Sequence, residues 1–297
     1  MAATLSATHA HVEEWSGEDV GVDDVVRALC RLREESAHET EGPDLRTSVM
    51  THMAWVPREW EEAAVETLAG LGERHPSRGI LLFPEPDAED GIDATVRMLA
   101  FPLREQRRHI AAEVVSLRLR GLSTRAAASI VNPLLVPGLP VFLRWRGRPP
   151  FGEPEADELI EVCDRFIGDS REWADVPGAY SELPFESTAV SDIAWRRTEP
   201  WRRELAGLWP EIAGIGKLAV RGPLAEATLL AGWLRSRLDR ELELDHREAD
   251  SLEQVEVDGR KCPTPVERLS GSDLLSAELD EFGRDRVYEA AAQHAAP

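Results

Sequence analysis

Cysteine is scarce in this chain. Three residues in 297, Cys30, Cys163 and Cys262, stand far apart and form no CxxC pair, which excludes a disulfide framework and any Cys/His cluster with metal-ligand spacing. Lysine is almost missing, since Lys217 and Lys261 are the only two and arginine carries nearly all of the positive charge. Positive charge is itself short: 34 basic residues against 55 acidic ones leave a net charge of -21. A surface of that sign cannot displace phosphate counterions, so general nucleic-acid binding is excluded and docking on anionic membranes is disfavoured. No apolar run reaches the roughly 18 residues that a transmembrane helix requires. The first twenty residues lack a basic stretch followed by an apolar one, so no signal peptide is expected and the cytoplasm is the default compartment. The catalytic signatures GxxxxGK[ST], HExxH and GxSxG are absent. Gly70-Leu71-Gly72 and Gly214-Ile215-Gly216 lack the third glycine of a dinucleotide fingerprint. No cofactor and no metal is expected.

What is present is a globular composition, 42% hydrophobic and 30% charged, with enough length for a sizeable core. Residues 1–20 read as a polar, flexible N-terminus. Asp23 or Asp24 caps a predicted helix to about Glu35, with Val22, Val25, Val26, Leu29 and Leu32 on its buried side. Residues 46–56 and 79–83 read as strands around a helix over 58–72 that turns Trp60, Ala64, Leu68 and Leu71 inward. Such a unit makes parallel strands. Further strands are expected at 92–101 and 110–120. A helix at 155–167 repeats Leu159, Val162, Cys163 and Phe166 at i, i+3, i+4 and i+7. Pro and Gly in PGAYSELP at 177–184 suggest a boundary. Beyond it come a helix at 199–209, a strand at 212–221, a helix from Pro223 to about Arg240, one or two exposed strands in 242–261 and a final helix over 272–292. The expected fold is α/β, with mixed sheets and flanking helices in two α/β domains, 21–177 and 178–297. Cys30 and Cys163 fall in helical apolar stripes and read as core thiols. Cys262 lies in the loop Arg260-Lys261-Cys262-Pro263, either as an inert thiol or as one whose pKa neighbouring cations lower.

The densest information lies at 121–151, GLSTRAAASIVNPLLVPGLPVFLRWRGRPPF. Ser123 is an expected N-cap, Asn132-Pro133 interrupts the helix behind it, and Pro137-Gly138 turns the chain into a strand at 139–145. Alternation puts Phe142, Arg144 and Arg146 on one face and Val141, Leu143 and Trp145 on the other. Two readings stand side by side: an outer strand with solvated arginines, or a recognition surface. His75, Pro76, Ser77 and Arg78 likewise read either as a helix-to-strand turn, with Arg78 pairing a carboxylate, or as an interface motif. Trp195-Arg196-Arg197 and Trp201-Arg202-Arg203 combine the two residue types that dominate interface energetics. The acidic stretches at 153–175 and 239–258 read as solvated helix faces or as steering charge for a basic partner. The carboxylate pairs Asp23-Asp24 and Glu61-Glu62 read as solvated.

PLLVPGLPVFLRWRGRPPF resembles the signature of the glucose-6-phosphate dehydrogenase assembly protein (OpcA) family. LRTSVMTHMAWV at 45–56, HPSRGILLF at 75–83, IAWRRTEPWRRELAGLW at 193–209 and LLAGWLRSRLD at 229–239 agree with it in order and spacing. Arg144 stands where the family often has an aromatic residue, and Thr51 and His52 make the first strand less uniformly apolar. The resemblance implies a non-enzymatic partner that binds glucose-6-phosphate dehydrogenase and favours its active oligomer. On residue type, Arg144, Trp145, Arg146, Trp201 and Arg202 are the candidate contacts. A rival of another class is a sensor or enzyme for a sugar phosphate, built on Arg78, Arg118, Arg120 and Arg144.

Overall fold

The computed structural model describes residues 11–39, 48–64, 67, 75, 77–102, 109–266 and 270–296. The chain divides into two units, Met1–Phe166 and Ile167–Pro297. It is an α/β protein with mixed sheets.

In the first unit, β1 (His11–Gly17) pairs antiparallel with β4 (Gly91–Pro102), so this part of the polar N-terminal stretch is a strand. Helix α1 (Val22–Glu39) buries Val25, Ala28, Leu29 and Leu32. It begins one residue before Asp23, and Asp24 stabilises the start by accepting the Gly21 N–H at 2.9 Å. Cys30 falls on its exposed side, a correction to the core-thiol reading. β2 (Met50–Trp55) and β3 (Ser77–Glu85) are parallel, as the strand–helix–strand pattern requires. Between them, Arg58–Trp60 form a 3-10 turn and residues 61–64 are helical; Leu68 and Leu71 lie outside the described residues. Trp60 packs on Ala54, Val56, Leu81 and Phe83. β5 (His109–Arg120) is antiparallel to β4 and parallel to β3.

Past α2 (Ala127–Val131) the chain returns to the other side of β2 as β6 (Val141–Trp145), parallel to it with Trp55 opposite Trp145. The order is therefore β1-β4-β5-β3-β2-β6. All five side chains of β6 are buried, so the reading of an outer strand with solvated arginines is wrong. α3 (Pro154–Glu161) is shorter than its apolar stripe suggests. Asp164 ends the stripe's helical use: its N–H donates to Val141 O at 2.9 Å and its carboxylate accepts the Val141 N–H at 2.8 Å. Phe166 then belongs to β7 (Arg165–Gly168), within which the division between the units falls.

The second unit contains β8 (Ala189–Asp192), α4 (Ile193–Arg197), α5 (Glu199–Ala206), β9 (Lys217–Arg221) and α6 (Leu224–Leu238). They are followed by β10 (Glu243–Arg247), β11 (Gln254–Val257), β12 (Arg260–Lys261), α7 (Gly271–Leu279) and α8 (Arg286–Ala295). Four strands run β10-β9-β11-β12, with β9 and β10 parallel around the α6 crossover. Leu205, Leu218, Val220, Leu230, Leu234 and Val255 lie in one apolar cluster with Trp201. Helix α6 is buried continuously from Ala225 to Gly232, the pattern of a helix enclosed on all sides rather than striped. The expected 272–292 helix breaks in two, because Asp285 starts α8 afresh by accepting the N–H groups of Val287 and Tyr288 at 2.9 and 3.0 Å.

Candidate functional site

β3 and β6 flank β2 on opposite sides, so the strand order reverses at β2, where the loops that follow β2 and β6 diverge. In open α/β sheets, ligands bind outside the carboxyl ends of the strands at such a point. A cleft of about 770 Å³ opens there. Trp55 and Trp145, the last residues of β2 and β6, line it with rings stacked at a centroid distance of 4.8 Å and planes 21° off parallel; Trp55 is part-exposed and Trp145, 4% exposed, backs it. The register that sets these residues opposite one another also produces the stack.

The chain turns sharply beyond Trp145. Arg146 donates its backbone N–H to Trp55 O at 3.0 Å, and its guanidinium lies 4.6 Å from the Trp60 ring centroid. Gly147 follows with φ +74°, a conformation glycine adopts without steric cost. On the opposite wall Gly121, at φ +53°, permits a backbone approach that no side chain would allow, since an added Cβ would sit 2.1 Å from Asp90 Oδ1. Asp90 accepts the Leu122 N–H at 2.8 Å and holds Leu122 out at 63% exposure. Pro57, Pro86 and Pro150 stiffen three of the loops around the cleft. The lining carries Arg125, Arg146 and Arg148 against Glu59, Asp90, Glu153 and Glu155, with Arg125 4.0 Å from Glu155. Among the described residues the lining contains no histidine, cysteine or serine, and Thr124 is its one aliphatic hydroxyl. It suits recognition by stacking and paired charges better than nucleophilic chemistry.

The sequence-predicted residues separate on this frame. Trp145 and Arg146 line the cleft. Arg144 is buried behind it, with its guanidinium donating to Trp145 O. His75 and Arg78 are buried at the other end of the sheet; Pro76 lies outside the described residues. Arg78 donates to Glu113 Oε2 at 2.7 Å and to Leu134 O at 2.5 Å, while Arg33 grips the same carboxylate at 2.5 and 2.8 Å. Arg78 thus sits on a carboxylate, that of Glu113. His52 lies in the same unit, 3% exposed, and its Nε2 has no hydrogen-bond partner among the described residues. Burial first, then the charges of Arg144 and His75, push its pKa down to about 4, so it is neutral.

The arginines of the sugar-phosphate rival do not converge. Arg118 pairs with Glu85 at 2.6 Å and Glu61 at 3.1 Å, Arg120 with Asp19 and Asp93, and Arg78 with Glu113. Glu61 is therefore an ion-pair partner rather than simply solvated.

The tryptophan–arginine density of the second unit is mostly internal. Trp195 and Trp201 are buried, and Trp195 Nε1 donates to Asp285 at 2.9 Å. Arg202 lies 3.5 Å from the Trp195 centroid, and burial lowers its pKa to about 10. Arg197 binds Asp169 through two bonds of 2.8 Å, and Arg196 binds Glu278 at 2.7 Å. The exposed indole of this segment is Trp209, at 65%. Its position beyond the end of α5 was the available signal. Cys262 is buried, and burial raises its pKa, the opposite of activation by nearby cations.

A polar core also lies in this unit. Asp192 accepts the backbone N–H groups of Ser170 (3.0 Å) and Ala194 (2.8 Å), while Tyr180 donates to Ser170 Oγ at 3.0 Å. Glu226, fully buried on α6, is held by Arg171, with Arg197 at 3.9 Å. Burial raises Asp192 to about 6, helped by Asp169, and raises Glu226 to about 7 against the opposing pull of the two arginines. Among the described residues no group of three or more His, Cys, Asp or Glu is arranged to hold a metal, and no helix is long and apolar enough to cross a membrane.

Comparison with known proteins adds independent information. Residues 69–183 match the family model described as the glucose-6-phosphate dehydrogenase subunit N-terminal domain, and residues 188–262 match the model described as its C-terminal domain. Together they cover more than half of the chain. The chain is 27% identical over 180 residues to the putative OxPP cycle protein OpcA of Nostoc punctiforme, covering 56% of this chain and 38% of that protein. Its counterpart in Synechococcus elongatus is 26% identical over 181 residues, with 57% and 41% covered. That of Synechocystis sp. is 24% identical over 218 residues, with 69% and 45% covered. The chain thus spans less than half the length of these curated relatives. No solved structure matches.

Proposed function

The chain belongs to the OpcA family, and we propose that it is a non-catalytic assembly factor that binds glucose-6-phosphate dehydrogenase and favours its active oligomer. The carrying observation is the ordered match of both dehydrogenase-subunit domain models along one chain. The first match includes β6 and most of the loops around the cleft.

The physical mechanism is differential binding. A protein that contacts the competent assembly of the enzyme better than its other states shifts the equilibrium toward that assembly, by no more than the difference in affinity. The cleft supports this reading because a stacked indole floor with a rim of both charges resembles an interface core and rim. Among the five sequence candidates, Arg146 is the one we place at the contact, with the buried Trp145 backing the part-exposed Trp55 ring beside it. Arg202 is the part-exposed candidate of the second unit. The work is proposed to be done in the cytoplasm.

The test is a titration of this protein into the cognate dehydrogenase, reading specific activity alongside mass photometry. A saturating rise in activity with a heavier co-complex is expected. Unchanged activity and mass over the whole range would overturn the reading.

A further inference from the structure

We propose that the cleft at the carboxyl ends of β2 and β6 is the docking groove for one extended segment of the dehydrogenase, carrying a proline or aromatic residue with charges of opposite sign on either side. This rests on the assembly reading above and deepens it by naming the surface and the chemistry of what enters it.

Three features select this occupant. The first is the floor. The Trp55–Trp145 stack ends two adjacent parallel strands, so it is fixed by backbone pairing rather than by flexible side chains. The part-exposed Trp55 ring, backed by the buried Trp145, is a preformed aromatic surface that accepts a flat ring or a proline ring at little entropic cost, and aromatic-lined grooves are the usual receptors for extended proline-bearing segments. The second is the rim. Arg125, Arg146 and Arg148 stand among Glu59, Asp90, Glu153 and Glu155, and Arg125 lies 4.0 Å from Glu155. A phosphate or nucleotide would meet more carboxylates than arginines there, whereas a polypeptide with both charges can match the pattern. The third is Leu122, exposed at 63% beside an aromatic floor and fixed by the Leu122 N–H bond to Asp90. An exposed apolar side chain at a cleft mouth leaves water when a partner covers it, which favours binding.

The geometry also explains why the groove is ready before binding. Gly121 lets the β5 loop come close to Asp90, and Gly147 turns the chain away from β6. With three prolines in the surrounding loops, little ordering cost is left to be met on association.

Two measurements on the full chain test the proposal. Leu122→Asp is expected to leave the thermal midpoint unchanged, because the side chain is exposed, and to weaken dehydrogenase binding about tenfold or more, because a carboxylate would replace apolar surface that the partner covers. Trp209→Ala, at the exposed indole of the second unit, is expected to bind as wild type does. A photo-crosslinking residue at position 122 should capture an extended segment of the dehydrogenase with a proline or aromatic residue between opposite charges. Wild-type binding combined with undiminished binding by Leu122→Asp would reject the groove while leaving the assembly reading intact. A crosslink only to a helix face, or none, would reject the proposed occupant. Absence of binding by the wild-type protein would instead bring down the assembly reading and the groove with it.

Discussion

Glu113 is the residue on which the first unit's buried charge depends. Arg33 and Arg78 share its carboxylate, and Arg78 and Glu113 are nearly enclosed, with side-chain exposures of 9% and 8%. Removing one partner from a buried pair leaves the other charge uncompensated, at a cost of about 3–5 kcal/mol. Glu113→Ala should therefore lose stability on that scale in urea denaturation, far more than an exposed pair such as Arg27–Asp24 would contribute. Glu226 acts through protons. Its carboxyl rises from an ordinary 4.5 to about 7 in the folded protein, and Asp192 rises from 3.8 to about 6. The native state then holds protons that the unfolded chain has released, so their contribution is complete below the ordinary values and is lost as pH rises through 6–7. Chemical denaturation from pH 5 to 8 should show Glu226→Gln with a flatter decline than wild type; an identical slope would remove Glu226 as its source. Residue types showed that Arg78 wants a carboxylate. They could not name Glu113, because the partner lies on a strand reached through a long connection.

Among the elements, α6 shows what a pattern leaves open. Its leucines and alanines predict a helix correctly, but Gly232 looks like a weak point in it. Helix packing gives the glycine a purpose: an added Cβ would lie 2.2 Å from Ala291 O and 2.7 Å from Ala295 N, both backbone atoms of α8. Gly232→Ala is expected to destabilise the protein by about 1–3 kcal/mol through overpacking, despite alanine's better helix propensity. Gly214→Ala, where an added Cβ meets nothing within 4 Å, should be near neutral in the same thermal melts. Element ends were the least legible feature. The stripe from Leu159 to Phe166 fits a helix, yet β6 claims Asp164 and the following residues extend. At α7 the local chemistry does specify the start: Ser270 and Asp273 form a capping box, and Ser270→Ala should cost about 1 kcal/mol.

At the scale of the whole molecule, a net charge of -21 makes self-repulsion part of the folded state's energy. Raising the salt from low to physiological concentration shortens the range of that repulsion to about 8 Å, so the thermal midpoint should rise; a fall would mean that local ion pairs dominate. Composition and pattern by themselves determined the α/β class, the parallel pairing of β2 with β3 and the family, because these depend on periodicity, turn residues and local order along the chain. They also marked Trp145 and Arg146 within a segment rich in information. Only the tertiary structure decided that Arg144, Trp195 and Trp201 are interior, that the four candidate phosphate arginines are dispersed among separate partners, and that Trp55 meets Trp145 at the base of a cleft. The reason is geometric. Burial and convergence depend on which strands become neighbours, and the return of the chain to the far side of β2 brings together residues that no local periodicity connects.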